Sequence, residues 1–431
     1  MDVKILQNGQ DLIWEFFLDE SDGDYTDKIK MVHNGFKISL PNGIDIKKIH
    51  PDHLALITIL TAHPFVGNVL NLPFTVSKRF SDATKVFTSY EVLHQGITEN
   101  PYDAPLDSVP SLAFSGGADS TACLLIMPKS TVSVFMDRPL DKKISMYNKT
   151  AAYATIRHAE KQGFDMHKIS CDVEYIRQPL GFPTDLVPCL PILAIAKQKS
   201  IDSIAFGTVM ESAYRIGHKK ARNYLHAPHY KIWGRLFEAA GVPLFLPVAG
   251  ISEVGTSLIV RKSSFQAYTR SCIRGKWPNA CENCWKCFRK NMLEERFSEG
   301  RVSEKYLSTG LGIREVKLKL EKWPISHENV LAWALQGSVG EYADALMQRL
   351  EGRNRDLSYL ESFYPPSIEF IPPKYQEVTR ARILSYLSQM DEKFFKTVTE
   401  HNMNQWLISP DAIQAKKDFD EFMTEKYPVR N

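Results

Sequence analysis

Apolar positions recur along the chain in more than one rhythm. Up to residue 107, short runs at 14–18 and 36–40 predict strands around a more continuous apolar stretch near 52–61 that predicts a buried helix. Asn100, Pro101, Asp103 and Pro105 then form a turn-rich linker, so residues 1–107 read as an appended α+β region. From residue 108 to 292, apolar runs at 111–114, 131–136, 204–206 and 242–246 predict strands. Longer periodic segments at 119–127, 145–162, 186–199 and 229–240 predict helices between them. This alternation predicts an α/β core, a parallel sheet with helices on both faces and ligands at the strand C-terminal ends. Residues 293–431 turn helical and charge-laced, most clearly at 330–350 and 375–401, with Pro365-Pro366 and Pro372-Pro373 breaking the pattern between them.

Composition changes this picture little. A chain of 431 residues, 44% hydrophobic and 24% charged, exceeds what one core usually organises and excludes long disorder or a fibrous repeat. A net charge of +3 exerts no overall pull toward nucleic acid or anionic membrane, so any such binding needs a local patch. Asp2, Lys4, Asp11 and Glu15 interrupt the N-terminal apolar residues, leaving no signal-peptide core, and the run at 54–62 is too short to span a bilayer. The expectation is a cytoplasmic protein with no membrane partner.

Candidate chemistry concentrates in two places. The first is Ser115-Gly116-Gly117-Ala118-Asp119-Ser120, between a predicted strand and a predicted helix. Adjacent glycines permit a sharp turn and a close ligand approach, while free amides at a helix N-terminus attract phosphate. Ser115 and Ser120 add hydroxyls. Asp119 would repel phosphate unless a cation intervened, which points to Mg²⁺. No Gly-Lys-Ser/Thr follows, so this is not a Walker loop; the bland reading is an ordinary turn with a Ser/Asp helix cap.

The second is the cysteine pattern. Of seven cysteines, Cys272, Cys281, Cys284 and Cys287 crowd together at a spacing that brings four thiolates around one tetrahedral ion. Zn²⁺ is the expected occupant, in a structural role because four protein ligands leave no open position. An iron–sulfur cluster uses the same ligands. Cys123, Cys171 and Cys189 lie in apolar segments and read as small core residues.

The six-residue loop resembles the signature of the PP-loop ATP pyrophosphatases, which cleave ATP between its α and β phosphates. That resemblance implies an adenine nucleotide α-hydrolase-like core, ATP at residues 115–120, and a second strand ending near the adenosine at Met136, Asp137 and Arg138, where the acid and base read equally as a surface ion pair and Asp137 as a ligand contact. The loop followed by the four-cysteine pattern ending Cys-Trp-Lys-Cys-Phe-Arg-Lys resembles 7-cyano-7-deazaguanine synthase and its QueC-like relatives over about residues 109–292. Ile204 to Thr208 resembles the family strand leading to the substrate pocket, and Thr269 to Cys272 the turn entering the zinc site. The resemblance implies a ligase or synthase that adenylates the carboxylate of a 7-deazaguanine, releases pyrophosphate and passes the acyl group to a nitrogen nucleophile. The chain departs from the family pattern at residues 182–188, where no Arg-Asn pair occurs, and carries extra regions at both ends. Longer QueC-like relatives occur in bacterial anti-phage defence, where the resemblance implies transfer of the acyl group to a protein amine. The extra regions therefore read as a docking surface for a protein acceptor, as stabilising additions, or as the interface of a homodimer.

Two further features bear on function. Arg215, Lys219, Lys220, Arg222 and Lys231, with Tyr214, Tyr224, Tyr230 and Trp233 interleaved, read as an RNA-binding surface of a tRNA-modifying PP-loop enzyme, or as a solvated face or phosphate pocket. Glu211 reads equally as a contact to a purine-like edge and as a helix cap, and Ser252 and Glu253 as helix capping residues. A third functional class is a non-catalytic nucleotide-binding scaffold.

Overall fold

The computed structural model describes residues 1–140 and 146–428. Ten strands form one mixed sheet. In chain order they are β1 (Asp2–Asn8), β2 (Asp11–Phe17), β3 (Gly35–Ser39), β4 (Val69–Ser77) and β5 (Glu91–Thr98). They continue as β6 (Val109–Ala113), β7 (Val132–Asp137), β8 (Asp165–Cys171), β9 (Ile201–Ala205) and β10 (Leu244–Phe245). Across the sheet the order is β10-β9-β6-β7-β8-β3-β2-β1-β4-β5. All neighbours are parallel except β8/β3, β3/β2 and β2/β1.

Helices that matter below are α1 (Pro51–Ala62), α2 (Ala118–Ile126), α3 (Thr150–Lys161), α4 (Pro228–Ala239), α5 (Glu253–Arg261), α6 (Trp285–Glu299) and α7 (Glu328–Leu335). The helix expected over 145–162 begins at Thr150; Ser145 lies outside the described residues.

Residues 109–245 contribute a five-strand parallel block. Its first strand, β6, is central; the chain steps outward through β7 and β8, then returns to the other side of β6 for β9 and β10. Such an order has one reversal, between β6 and β9, where the loops leaving two adjacent strands diverge and open a crevice at their C-terminal ends. Alternate strand residues enter two separate clusters: Ala113, Val134, Met136, Ile204 and Leu244 in one, Leu112, Phe114, Phe135, Ala205 and Phe245 in the other. Both faces of the block are therefore buried, as a parallel sheet requires.

The strand β8 was not expected from the sequence. Its residues Asp165 to Lys168 are polar or half-exposed, and only Ile169 and Cys171 are buried, so the apolar signal is too short to register. Pairing on both sides makes it a strand: β7 binds one edge, and the N-terminal β3 binds the other at Ser170 and Cys171. Through that pairing the sheet runs across residue 107 without a break. The helix α1 is buried at every position after Pro51, as a helix apolar all round must be. Trp14 Nε1 donates to Thr58 Oγ1 at 3.0 Å, and His53 Nε2 donates to the Ala240 carbonyl at 3.1 Å, tying the N-terminal region to the end of α4.

Three further expected helices are shorter than their patterns. The 330–350 segment divides into α7 and Glu341–Gln348, because Gly337 and Gly340 adopt positive φ between them. The 375–401 segment divides into Gln376–Leu384 and Phe395–Glu400. The 186–199 segment starts as a 3-10 turn at Val187–Cys189 and is α-helical only over Leu190–Ile195, with Pro188 and Pro191 supplying no amide hydrogen. The proline-rich stretch and the Gln376–Leu384 helix that follows fold back onto the core: Phe363, Ile371 and Tyr375 of the stretch, with Ile383 and Leu387 in and after the helix, join the cluster of Phe114, α2 and Phe245. Among the described residues no helix is long and apolar enough to cross a membrane.

Candidate anion-binding loop and four-cysteine centre

The residues predicted to cradle phosphate lie at the reversal point. After β6, the Phe114 amide still donates to the Val134 carbonyl at 2.9 Å, and the chain then turns through Ser115 and Gly116 into α2. Gly116 has φ +77°, and a Cβ there would lie 2.8 Å from Ala152 Cα of α3, so a side chain fits neither the backbone nor the space. At the end of β9, a Cβ on Gly207 would lie 3.1 Å from the Ser120 amide nitrogen and 3.2 Å from the Asp119 carbonyl carbon. The second strand thus approaches the first turn of α2 closely enough to crowd a Cβ.

Within the loop, Ser115 Oγ and Ser120 Oγ share a hydrogen bond of 2.9 Å, and the Ser115 amide donates to Ser120 Oγ at 3.2 Å. Gly117 is the N-cap of α2 and offers no side-chain cap, which leaves first-turn amides for other acceptors. The Ala118 amide donates to Ser271 Oγ at 3.2 Å, a hydroxyl from the segment entering the cysteines. Asp119 is half-buried and accepts from Thr256 Oγ1 at 2.8 Å, with Lys290 Nζ at 3.9 Å from the same oxygen. These contacts bring residues 115–120 against α5, α6 and the cysteine segment.

Asp137, at the end of β7, is engaged by the protein itself: Lys149 Nζ binds Oδ1 and Tyr153 OH donates to Oδ2 at 2.7 Å. The neighbouring Arg138 pairs with Glu174 at 2.7 Å and lies over the Tyr147 ring. Arg138, not Asp137, lines a small cavity of about 130 Å³ above the loop, together with Ser115, Gly117, Arg270 and Lys286.

The four cysteines converge. Their sulfurs all lie within 4.8 Å of one another, and Cys281 Sγ and Cys287 Sγ are 3.7 Å apart. A tetrahedron with metal–sulfur bonds of ~2.3 Å has sulfur edges of about 3.8 Å, so the group fits a zinc-sized ion. Amides of Arg274, Gly275 and Cys281 donate to Cys272 Sγ, and the Cys287 amide donates to Cys284 Sγ, which caps α6. Such bonds favour thiolates, the form a metal binds. Glu315 braces the knuckle from the C-terminal region, accepting from Arg274 Nη1 at 2.6 Å and from the Trp285 amide at 3.2 Å. Cys123, Cys171 and Cys189 are fully buried, and burial pushes their thiols up, as inert core residues.

Sequence reasoning missed a buried ionic network behind the loop. Glu253 lies at the start of α5, with Lys290 Nζ at 3.1 Å and Arg289 Nη2 at 3.3 Å. Burial opposes ionisation of Glu253, but Lys290 and Arg289 outweigh it and hold the carboxyl below its usual range. Burial and Arg289 drive His327 down to about 3, so at neutral pH it faces Glu253 uncharged and the pairing rests on the two cations. Glu211 is fully buried and accepts from the Glu253 amide at 3.0 Å and from Asn329 Nδ2 at 3.1 Å, so it caps the start of α5. Burial, then the nearby Glu253 charge, raises its carboxyl to about 7. Ser252 caps α5 as expected, accepting from the Gly255 amide.

In the basic stretch, Tyr214, Tyr224 and Trp233 are buried, while Arg215, Lys219, Lys220 and Lys231 are exposed. Lys219 and Lys220 are pinned to the C-terminal region by backbone pairing with Asn402 and Met403.

Comparison with curated proteins and with solved structures gives no match. Residues 232–402, less than half of the chain, match a family described as a family of unknown function (DUF6395). That match begins after the glycine loop and takes in the four cysteines, Glu253, Arg289, Lys290 and His327.

Proposed function

We propose that the chain is an ATP-dependent enzyme that activates a carboxylate, of the 7-deazaguanine class, as an acyl-adenylate and transfers the acyl group to a nitrogen nucleophile. One observation carries the reading: a glycine turn and a helix N-terminus stand at the sheet's reversal point, faced by Arg138, Arg270 and Lys286 in one cavity. That arrangement suits a chain of phosphates, through amides that need no reorganisation and cations that neutralise accumulating charge.

In this reading Ser115, Gly116, Gly117, Ala118 and Ser120 hold the phosphates of ATP, and binding exchanges Ser271 Oγ for a phosphate oxygen on the Ala118 amide. Asp119, already oriented by Thr256, would hold Mg²⁺, which supplies charge neutralisation at the phosphates. The four cysteines hold Zn²⁺ in a structural role. The substrate carboxylate oxygen attacks the α-phosphorus; the new P–O bond forms as the bridge to the β-phosphate breaks, and pyrophosphate leaves with the electron pair. An amine then attacks the acyl carbon; the C–N bond forms as the acyl carbon–oxygen bond to AMP breaks, AMP leaves with the electron pair, and the nitrogen gives up a proton to water. Arg270 and Lys286 face the charge that gathers on pyrophosphate.

The RNA-modifying reading has less support, because the aromatic rings that would stack on bases are largely buried in the core. The decisive assay incubates the full chain with ATP, Mg²⁺ and a carboxylate panel, with ammonia or a protein amine as acceptor, and measures AMP, pyrophosphate and product mass. Pyrophosphate release that depends on the carboxylate and falls at least tenfold in Asp119→Ala is expected. Nucleotide binding without pyrophosphate release would make the chain a scaffold, and unchanged turnover in Asp119→Ala would remove the loop from the chemistry.

A further inference from the structure

A second, larger cavity of about 530 Å³ adjoins the loop, on the other side of Ser271, between α5 and α6. It shares Arg270, Ser271, Cys272 and Lys286 with the small cavity, so these residues form the wall common to both. The two linings differ in chemistry. Above the loop the wall is Gly117, the serines Ser115 and Ser271 and the cations Arg138, Arg270 and Lys286, closed by Asn148, Ala151, Ala152 and Ile273, and its cations and hydroxyls suit phosphate. In the larger space the amides of Gln266, Asn279 and Asn291 stand beside apolar Val260 and Pro278. Primary amides donate and accept at once, which matches a neutral ring or chain bearing both kinds of group.

The charge balance favours an anion at the shared wall. Four cations, Arg261, Arg270, Lys286 and Lys290, line the larger cavity against the acids Glu282 and Glu294. Glu294 is neutralised by Arg261 at 2.8 Å, and Glu282 is exposed at the rim. Lys290 serves Glu253 and Asp119 from the α6 side, and Arg270 donates through Nε and Nη1 to the carbonyls of Pro278, Gln266 and Thr269, which fixes its guanidinium in the wall, so the charges facing both spaces are those of Arg270 and Lys286. Bringing an organic anion up to a polyphosphate is opposed by like charge, and cations set where the two spaces adjoin relieve that opposition from both sides.

We propose that this cavity binds the second substrate, an organic carboxylate held at Arg270 and Lys286 with its neutral, hydrogen-bonding body against Gln266, Asn279 and Asn291. The assignment rests on the adenylation reading, which requires a carboxylate beside the nucleotide phosphates, and goes beyond it by naming the residues that select the acid.

The test is calorimetric titration of the full, metal-loaded chain with 7-carboxy-7-deazaguanine, with its uncharged carboxamide, and with Mg²⁺ and a non-hydrolysable ATP analogue. Gln266 and Asn279 are exposed, so Gln266→Ala and Asn279→Ala should leave folding intact, as circular dichroism would check. Each should weaken the carboxylate by roughly tenfold through a lost hydrogen bond while leaving the ATP analogue within about twofold of the parent. Lys286→Ala should weaken both ligands, and the carboxamide should bind more weakly than the carboxylate. Parent-like carboxylate affinity in both amide variants, or no carboxylate binding by a parent that binds nucleotide, overturns the assignment. A parent that binds the carboxylate in this amide-dependent way but binds no nucleotide sustains the cavity and sinks the adenylation reading instead. A parent that binds neither overturns both.

Discussion

Replacing each loop glycine with alanine separates folding from anion binding. At Gly116, φ is +77°, a region that costs an L-residue about 1–2 kcal/mol. The added Cβ would also lie 2.8 Å from Ala152 Cα and 3.0 Å from Ala152 Cβ, atoms fixed within α3. Overpacking against a rigid element adds about 1–3 kcal/mol. Gly116→Ala should therefore cost about 2–5 kcal/mol, a large part of the total of about 5–15 kcal/mol usual for a folded protein. Gly117 has φ −85°, and a Cβ there meets nothing closer than Ser115 Oγ at 3.6 Å and Ser271 Oγ at 3.8 Å. Gly117→Ala should stay within about 0.5 kcal/mol of the parent. Because Gly117 lines the small cavity, its methyl group should still weaken binding of a nucleotide triphosphate. Urea unfolding followed by circular dichroism, with the slope checked for constancy, measures the first difference, and calorimetry with Mg²⁺ and an ATP analogue the second. Equal stability of the two variants would refute the steric account of the turn; parent-like nucleotide affinity in Gly117→Ala would refute the placement of phosphate at this loop.

Other expectations concern the surroundings of the loop. The chain grown with zinc should carry one zinc ion by elemental analysis; Cys284→Ser should lose it and unfold at a lower temperature through loss of the metal, since the serine hydroxyl still caps α6. Glu253→Gln leaves Arg289 and Lys290 without their buried anion and should cost about 3–5 kcal/mol, whereas adding Arg289→Met should recover part of the loss in a double-mutant cycle. Glu211 has its folded carboxyl raised to about 7 from an ordinary value of 4.5. The folded state thus binds that proton more tightly: its contribution is fully present below about pH 4.5 and is lost as pH rises through about 7, by an amount on the order of 3 kcal/mol. Glu211→Gln should flatten the stability profile across that window and exceed the parent in stability at about pH 8, as denaturant titrations at several pH values would show.

The features legible in the amino-acid sequence are those whose physics is local. Gly116 and Gly117 between an apolar run and a helical pattern announce a turn with free amides, and the spacing of Cys272, Cys281, Cys284 and Cys287 announces a knuckle, because neighbours along the chain settle both. The strands β6, β7, β9 and β10 were legible because residues buried on both faces leave continuous apolar runs. Tertiary structure decided what depends on a distant partner. The polar strand β8 exists because β7 and β3 pair with it, and Asp137 is taken up by Lys149 and Tyr153. Glu211 meets Asn329 across 118 residues, and Glu253 finds its counter-charges on α6. Hydrophobic periodicity reports which face of a segment is buried, but the partner of a buried charge, and the cavity that two remote helices enclose, follow only from how the chain closes on itself.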